Sequence, residues 1–419
     1  MSGFNRIEKA IARLLSRFPF IKKSAKHIYS RLVYVKCKKD FTYQSITPWT
    51  SHSSASYSSF FGYYDKSPVN SAGLILANLT EHSTTLPPSP RDTVFIAVLD
   101  GNHLLFKVRI SAYNWQQGCR AHWLNDDAFI VNDFDKQHGR YISRIYSVKK
   151  KEQIKEFSLP VQDSFKNVFF ISLNYQRLMA LRPDYGYRNL PALDNIQLAN
   201  LKDDGLWYVD MSTGRTSLLI SIEQVCAIKP TDNFNSARHC FNHVLISPNG
   251  KQLIFMHRFF LGQRRFDRLF LFDIASKKLT LLADNSMVSH CFWADDDTIL
   301  GYMRGPGSMD AYWLIHLETL TFSRLPGNAL CDFGDGHPHV HGDWFITDTY
   351  PDKARMQHLI LCNWKTGSTK LLGEFFHGFE FGGESRCDLH PRFSLDGKKV
   401  FFDSVFTSKR QLYSIDSGI

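Results

Sequence analysis

Cys387-Asp388-Leu389-His390-Pro391-Arg392-Phe393-Ser394-Leu395-Asp396-Gly397-Lys398 runs, one residue later, into Val400-Phe401-Phe402-Asp403-Ser404. A His-Pro step enters a short apolar strand, Asp-Gly makes a two-residue turn, and a second apolar run returns; the unit reads as a β-hairpin with an imidazole at its mouth. The same order recurs from Phe241 to Phe255 around Asn249-Gly250, and in looser form at Arg120–Ile130 and Ser289–Leu300. Gly336-His337-Pro338-His339-Val340-His341 opens another, so five units begin with a histidine.

Their spacing decides the fold. His243 to His290 is 47 residues, His290 to His337 is 47 and His337 to His390 is 53, the length of a four-stranded propeller blade. Apolar runs ending in aspartate, such as Leu206–Asp210, Leu269–Asp273 and Leu412–Asp416, mark the third strand of each unit. The expectation is an all-β, seven-bladed β-propeller with an N-terminal basic amphipathic helical extension. Its blades fall at about 60–110, 115–158, 161–222, 238–284, 288–326, 334–375 and 386–416, after a polar linker at 50–59. Only three strand signals fit between Leu389 and Asp416, so a strand from about residues 40–48 is expected to complete the last blade and close the ring. The chain thus divides into residues 1–45, a basic amphipathic helical segment with that ring-closing strand at its end, and 46–419, the propeller. Insertions at 183–203 and 303–310 read as loops suited to walling a cleft.

The 419 residues carry a net charge of +10. Residues 1–40 hold eleven Lys/Arg against Glu8 and Asp40, a net +9, which leaves the body nearly neutral. A neutral propeller body excludes a nucleic-acid-binding surface as the expectation. The eight cysteines contain no CxxC pair and read as reduced, mostly buried thiols of a cytoplasmic protein. No stretch has the length and apolarity of a membrane-spanning helix or a cleavable leader.

Phe4, Ile7, Ile11, Leu14, Leu15 and Phe18 follow one helical face, Pro19 interrupts it, and Ile21, Ala25, Ile28, Leu32 and Val35 continue a second. With lysines and arginines off these stripes, residues 1–39 suit the surface of an anionic inner membrane. Packing on the propeller or on a partner is the alternative.

First strands of propeller blades line the central channel, so their entry residues converge. Here these are Tyr64, Asp65, Arg120, His122, Arg238, His239, His243, His290, His337, His339, Asp388 and His390. Several neutral imidazoles beside a carboxylate suit a first-row divalent metal, Mn before Fe, Ni or Zn, with His290, His337, His339, Asp388 and His390 as ligands. The alternative is that each histidine only hydrogen-bonds at a strand entry. Arg120, Arg238 and Arg392 could neutralise an anionic substrate or form ion pairs between blades. Tyr64, Asp65, His122, His239 and Arg392 are the expected substrate contacts. The turn residues Asn249, Gly250, Asp396 and Gly397 carry architecture, not chemistry.

The chain resembles the oligogalacturonate lyases and the wider TolB-like propellers. Ser289-His290-Cys291-Phe292-Trp293 is similar to that family's His-x-Phe-Trp metal entry, and His390-Pro391-Arg392-Phe393-Ser394 to its last-blade His-Pro-x-Phe metal motif. His243 stands where the family has its histidine base. Where the family has Gln-x-x-His-x-His, this chain reads Ser385-Arg386-Cys387-Asp388-Leu389-His390; His390 alone is matched, and Asp388 replaces an imidazole.

The resemblance implies β-elimination on an acidic, uronate-containing oligo- or polysaccharide, with His243 as base, Arg120 and Arg238 assisting, and a metal or arginine neutralising the carboxylate. Leu14-Leu15-Ser16-Arg17-Phe18-Pro19-Phe20-Ile21-Lys22-Lys23 also resembles the N-termini of proteins that act on bacterial surface polysaccharides at the inner membrane. The alternative functions are a non-catalytic glycan-binding scaffold at a membrane biosynthetic complex and a glycan-transferring enzyme on the same scaffold.

Overall fold

Short strands rich in Phe, Val, Ile and Leu alternate with turns along the chain, and the middle strands of each sheet are the most deeply buried. The computed structural model describes residues 19–54 and 56–419. Seven antiparallel sheets account for its strands, and they form the seven-bladed β-propeller.

Blades one to five each take four consecutive strands. The first strands of the seven blades are Ser58–Phe60, His122–Trp123, Asp163–Phe165, Arg238–Ile246, Val288–Trp293, His339–His341 and Arg392–Phe393. From blade three to blade seven, each first strand packs against the first strand of the following blade. Aromatic and aliphatic side chains fill the wedges between blades. Between blades six and seven, for example, Phe375, Phe402, Phe406 and Tyr413 are buried together, each burial contributing roughly 1.5–3 kcal/mol.

Ring closure departs from the expected position. Blade seven is completed by Thr50–His52, which pairs with Gln411–Asp416 in the register Thr50↔Ser414, Ser51↔Tyr413, His52↔Leu412. The expected closing segment at 40–48 instead supplies Tyr43–Ser45, a fifth strand on the outer edge of blade six. Its neighbour Trp49 packs edge-on against Phe406 and Tyr413, and buried His52 meets the Ser414 hydroxyl at 2.8 Å. These contacts fix which triplet closes the ring. The serine-rich run 50–59 is therefore no linker, because it holds both the closing strand and the first strand of blade one.

The insertion after blade three's second strand carries two short helices, Tyr175–Leu181 and Asn195–Ala199, the latter started by an Asp194 capping box. The 303–310 stretch is only the turn joining Thr298–Arg304 to Asp310–His316. All eight cysteines are free thiols.

The first amphipathic stripe, at residues 4–18, lies outside the described residues. The second falls on the helix Pro19–Cys37. This helix docks through Tyr34, whose ring contacts Phe376 and Phe379, and through Arg31 over Phe379. Its apolar stripe faces outward: Ile28, Leu32 and Val35 are 62, 67 and 68% exposed. No helix among the described residues is long and apolar enough to cross a membrane.

Candidate active and metal site

Backbone irregularities aim the channel histidines. His243 has φ 52° and His390 φ 43°, a left-handed conformation that costs a non-glycine residue roughly 1–2 kcal/mol. In blade four the pairing register slips between Asn242 and Leu245, a β-bulge that redirects His243, while the Asn242 side chain accepts the His243 N–H at 2.8 Å. A second slip between Val288 and Cys291 carries His290. Gly336 precedes His337 because a Cβ there would stand 1.9 Å from the Asp348 carbonyl oxygen.

These devices gather four buried imidazoles from blades four to seven. Ring centroids are 5.4 Å apart for His243 and His290, 4.0 Å for His290 and His337, and 4.3 Å for His337 and His390. Tyr63 stacks on His243 at 5.3 Å and meets His390 edge-on at 5.0 Å. Its hydroxyl hydrogen-bonds Nδ1 of His243. Tyr64 donates to the Cys291 carbonyl at 3.0 Å and packs 5.5 Å from His337.

Asp348 organises the centre. One carboxylate oxygen accepts both the His337 backbone N–H and its Nδ1–H, each at 2.8 Å, and the other accepts the His390 N–H at 3.0 Å. Nε2 of His337 and Nε2 of His390 are buried without hydrogen-bond partners. Donor atoms of His337, His390 and Asp388 lie within 4.8 Å of one another. Two orphaned imidazole nitrogens beside a carboxylate, with the outer nitrogen of one fixed by a second carboxylate, make a donor set that fits a divalent cation. An unpaired buried polar atom otherwise costs about 1–3 kcal/mol.

Charge is divided within the cluster. Burial, reinforced by neighbouring histidines, drives the imidazoles of His243, His290 and His390 well below their ordinary range, so they stay neutral. His337 is shifted upward: burial opposes its charge, but the carboxylates of Asp348, Asp388 and Asp335 together outweigh it. Burial also opposes the charge of Asp388, yet Arg386, bonded to it at 2.7 and 2.8 Å, holds its carboxyl below the usual range.

Other expected site residues are engaged elsewhere. Arg120 makes a bidentate pair with Asp65 at 2.7 and 2.9 Å and donates from Nε to the Gln162 carbonyl at 3.0 Å. Both charged groups are buried and mutually satisfied. His122 has both ring nitrogens bonded, to the Arg120 carbonyl at 2.9 Å and the Ser164 hydroxyl at 2.7 Å. Arg392 bonds the His390 carbonyl and Asp403. His339 accepts the Phe393 N–H at 3.3 Å and lies against Phe292, outside the imidazole cluster. Arg238 is exposed at its strand end, and His239 turns toward Cys226 and His257.

Five residues that sequence reasoning passed over complete the centre: Tyr63, Asp348, Arg386, Arg182 and Tyr185. Arg182 follows the helix Tyr175–Leu181, pairs with Asp184 at 3.0 Å and packs 4.7 Å over Tyr185, while its Nη1 is buried without a partner. Tyr185 in turn meets His243 edge-on at 5.3 Å. Tyr63 adjoins the expected Tyr64, and Asp348 ends an apolar second strand, as Asp135 does in blade two; both signals were available in the sequence.

No family model and no curated protein matches the sequence. Among solved structures, the oligogalacturonate lyase of Vibrio parahaemolyticus is similar with a TM-score of 0.55 at 13% identity, over 90% of this chain and 98% of that one. TolB of Acinetobacter baumannii gives 0.41 at 12% identity, over 78% and 76%, and the β-propeller domain of the trilobed protease from Pyrococcus furiosus gives 0.47 at 9%, over 86% and 95%. The chain is a seven-bladed β-propeller whose fold is similar to that of an oligogalacturonate lyase.

Proposed function

We propose that the protein is a β-elimination lyase acting on a uronate-containing oligo- or polysaccharide. The observation that carries this reading is the neutral His243, paired with Tyr63, across from the two orphaned imidazole nitrogens beside Asp388. The fold likeness to an oligogalacturonate lyase supports the same chemistry.

With Nδ1–H turned to the Tyr63 hydroxyl, Nε2 of His243 carries the lone pair and takes the proton from C5 of the uronate. The C5–H electrons form the C4–C5 double bond as the bond from C4 to the glycosidic oxygen breaks, and the expelled oxygen takes a proton from solvent. Arg182, with its free Nη1, and the partly exposed Arg386 draw the uronate carboxylate into the mouth and make the C5 proton more acidic. A divalent cation, manganese first, held by His337, His390 and Asp388 would supply Lewis acidity at that carboxylate. At the mouth, Arg386 lies 5.3 Å from the Tyr350 ring, which in turn meets His337 edge-on at 6.0 Å.

The test is the near-ultraviolet absorbance of the unsaturated product, measured with a panel of uronate-containing glycans and Mn²⁺. Absorbance rises with at least one substrate and is lost in His243→Ala; no rise with any substrate contradicts the reading.

The outward stripe of Ile28, Leu32 and Val35 favours a second element, attachment to an anionic membrane surface. The helix Pro19–Cys37 carries Lys22, Lys23, Lys26, Arg31 and Lys36 and no acidic residue, complementing acidic headgroups. The protein cosediments with phosphatidylglycerol vesicles and not with phosphatidylcholine vesicles, and Leu32→Asp weakens the association. Equal sedimentation with both vesicle types contradicts it. If attachment holds while every glycan fails, the scaffold reading replaces the lyase.

A further inference from the structure

A second group of soft donors lies in blade four, apart from the channel cluster. His239 and His257 occupy adjacent strands, Arg238–Ile246 and Gln252–Leu261, in the register His239↔Phe259 and Phe241↔His257. Side chains alternate between faces along a strand, so this diagonal pair shares one face and the rings stack at 5.2 Å. Cys226 reaches the same point from the short helix Ile222–Ala227.

Nδ1 of His239 is 3.0 Å from Nε2 of His257, and the Cys226 sulfur is 3.5 Å from the first nitrogen and 3.9 Å from the second. Zinc bound by imidazole and thiolate at its usual bond lengths sets tetrahedral edges of about 3.3 Å between nitrogens and about 3.6 Å from nitrogen to sulfur. The three donors already stand close to those edges.

The surroundings favour ligation. Nε2–H of His239 donates to the Phe234 carbonyl at 3.0 Å, which fixes the tautomer that presents the Nδ1 lone pair to the cluster, as outer-shell carbonyls do for metal-bound histidines. Both histidines are fully buried, and Nδ1 of His257 has no partner, whereas Cys226 is partly exposed. Ions therefore have a route in from the cysteine side. Burial pushes the Cys226 thiol up to about 11, against the opposing charge of Arg268, which stands opposite His257 in the ladder, so a bound metal has to displace the thiol proton.

We propose that Cys226, His239 and His257 form a zinc-type metal site with an open fourth position. The site adds a tie between the helix Ile222–Ala227 and blade four. It is independent of the lyase reading, since none of its ligands belongs to the channel cluster.

Cobalt(II) is the probe, because a thiolate ligand produces a sulfur-to-cobalt charge-transfer band that the cysteine-free ligand set of the channel cannot. The tag-free protein titrated with Co²⁺ develops this band at one equivalent, and Zn²⁺ bleaches it. Cys226→Ser abolishes the band, and His257→Gln keeps the thiol but weakens Co²⁺ binding at least tenfold. Near-native circular dichroism of both variants verifies folding. A wild-type protein without the band, or a band that survives in Cys226→Ser, overturns the assignment.

Discussion

The two halves of the ring use one backbone device for opposite ends. In blade two Arg120 takes a left-handed conformation, φ 55°, as His390 does in blade seven at 43°. Arg120 then uses its guanidinium in a closed set of bonds to Asp65 and Gln162, and His122 beside it has both nitrogens bonded. His337 and His390 each keep a buried nitrogen without a partner. A buried group whose bonds are complete holds structure, whereas one left incomplete next to others of its kind waits for a ligand. This contrast, more than the number of histidines, separates the candidate site from the structural side.

The contrast can be broken most sharply at His243. On the lyase reading, His243→Ala lowers turnover by about 10²–10⁴-fold, the usual contribution of a general base, while Arg238→Ala at the exposed strand end leaves it within a few-fold. Equal losses in both would erase the distinction. On the structural side, Arg120→Ala strands Asp65 in the interior and costs about 3–5 kcal/mol in denaturant unfolding; unchanged stability would mean the pair is not what closes that half. Between these two lies Asp348→Asn, which loosens the orientation of His337 and weakens channel metal affinity about 10–100-fold, read by calorimetric titration.

The last effect is on acid stability. Burial lowers His122 from 6.5 to about 3, so between those pH values the unfolded chain binds a proton that the folded protein does not. Its contribution to stability is full above pH 6.5 and is lost as pH falls toward 3, by up to about 1.4 kcal/mol per pH unit. His122→Asn flattens the acid limb of the stability profile by that amount, and an unchanged limb would show that His122 is not held neutral.

The fold was legible because a repeat multiplies weak signals. A single His-Pro hairpin says little, but units at 47 and 53 residues leave few architectures. Ring closure was not legible, since Thr50-Ser51-His52 contributes mainly backbone bonds to an edge, and its composition reads as a loop. In the site, the repeat brought His243, His290, His337 and His390 together, and it equally pointed to Arg120 and His122, whose bonds reach neighbouring blades, and to Arg392, tied to His390 and Asp403 of its own blade.

Only the three-dimensional pairing separates the two sets. Asp348 had a signal of its own. Asp403, next to last in the second strand of blade seven, accepts the N–H groups of Phe61 and Gly62 at 2.9 Å, as Asp348 accepts that of His390 in the next blade. The aspartates of blades six and seven thus brace the entry of the next blade, and Asp348 also holds the His337 imidazole at the mouth of its own.

Manganese binding to the tag-free protein, followed by electron paramagnetic resonance of free Mn²⁺, tests the central claim most directly. One site per chain is expected in the wild type and in Cys226→Ser, and none in the His337→Ala/His390→Ala double variant. Undiminished binding in the double variant, or no binding in the wild type, would contradict a divalent cation site built from the orphaned imidazoles.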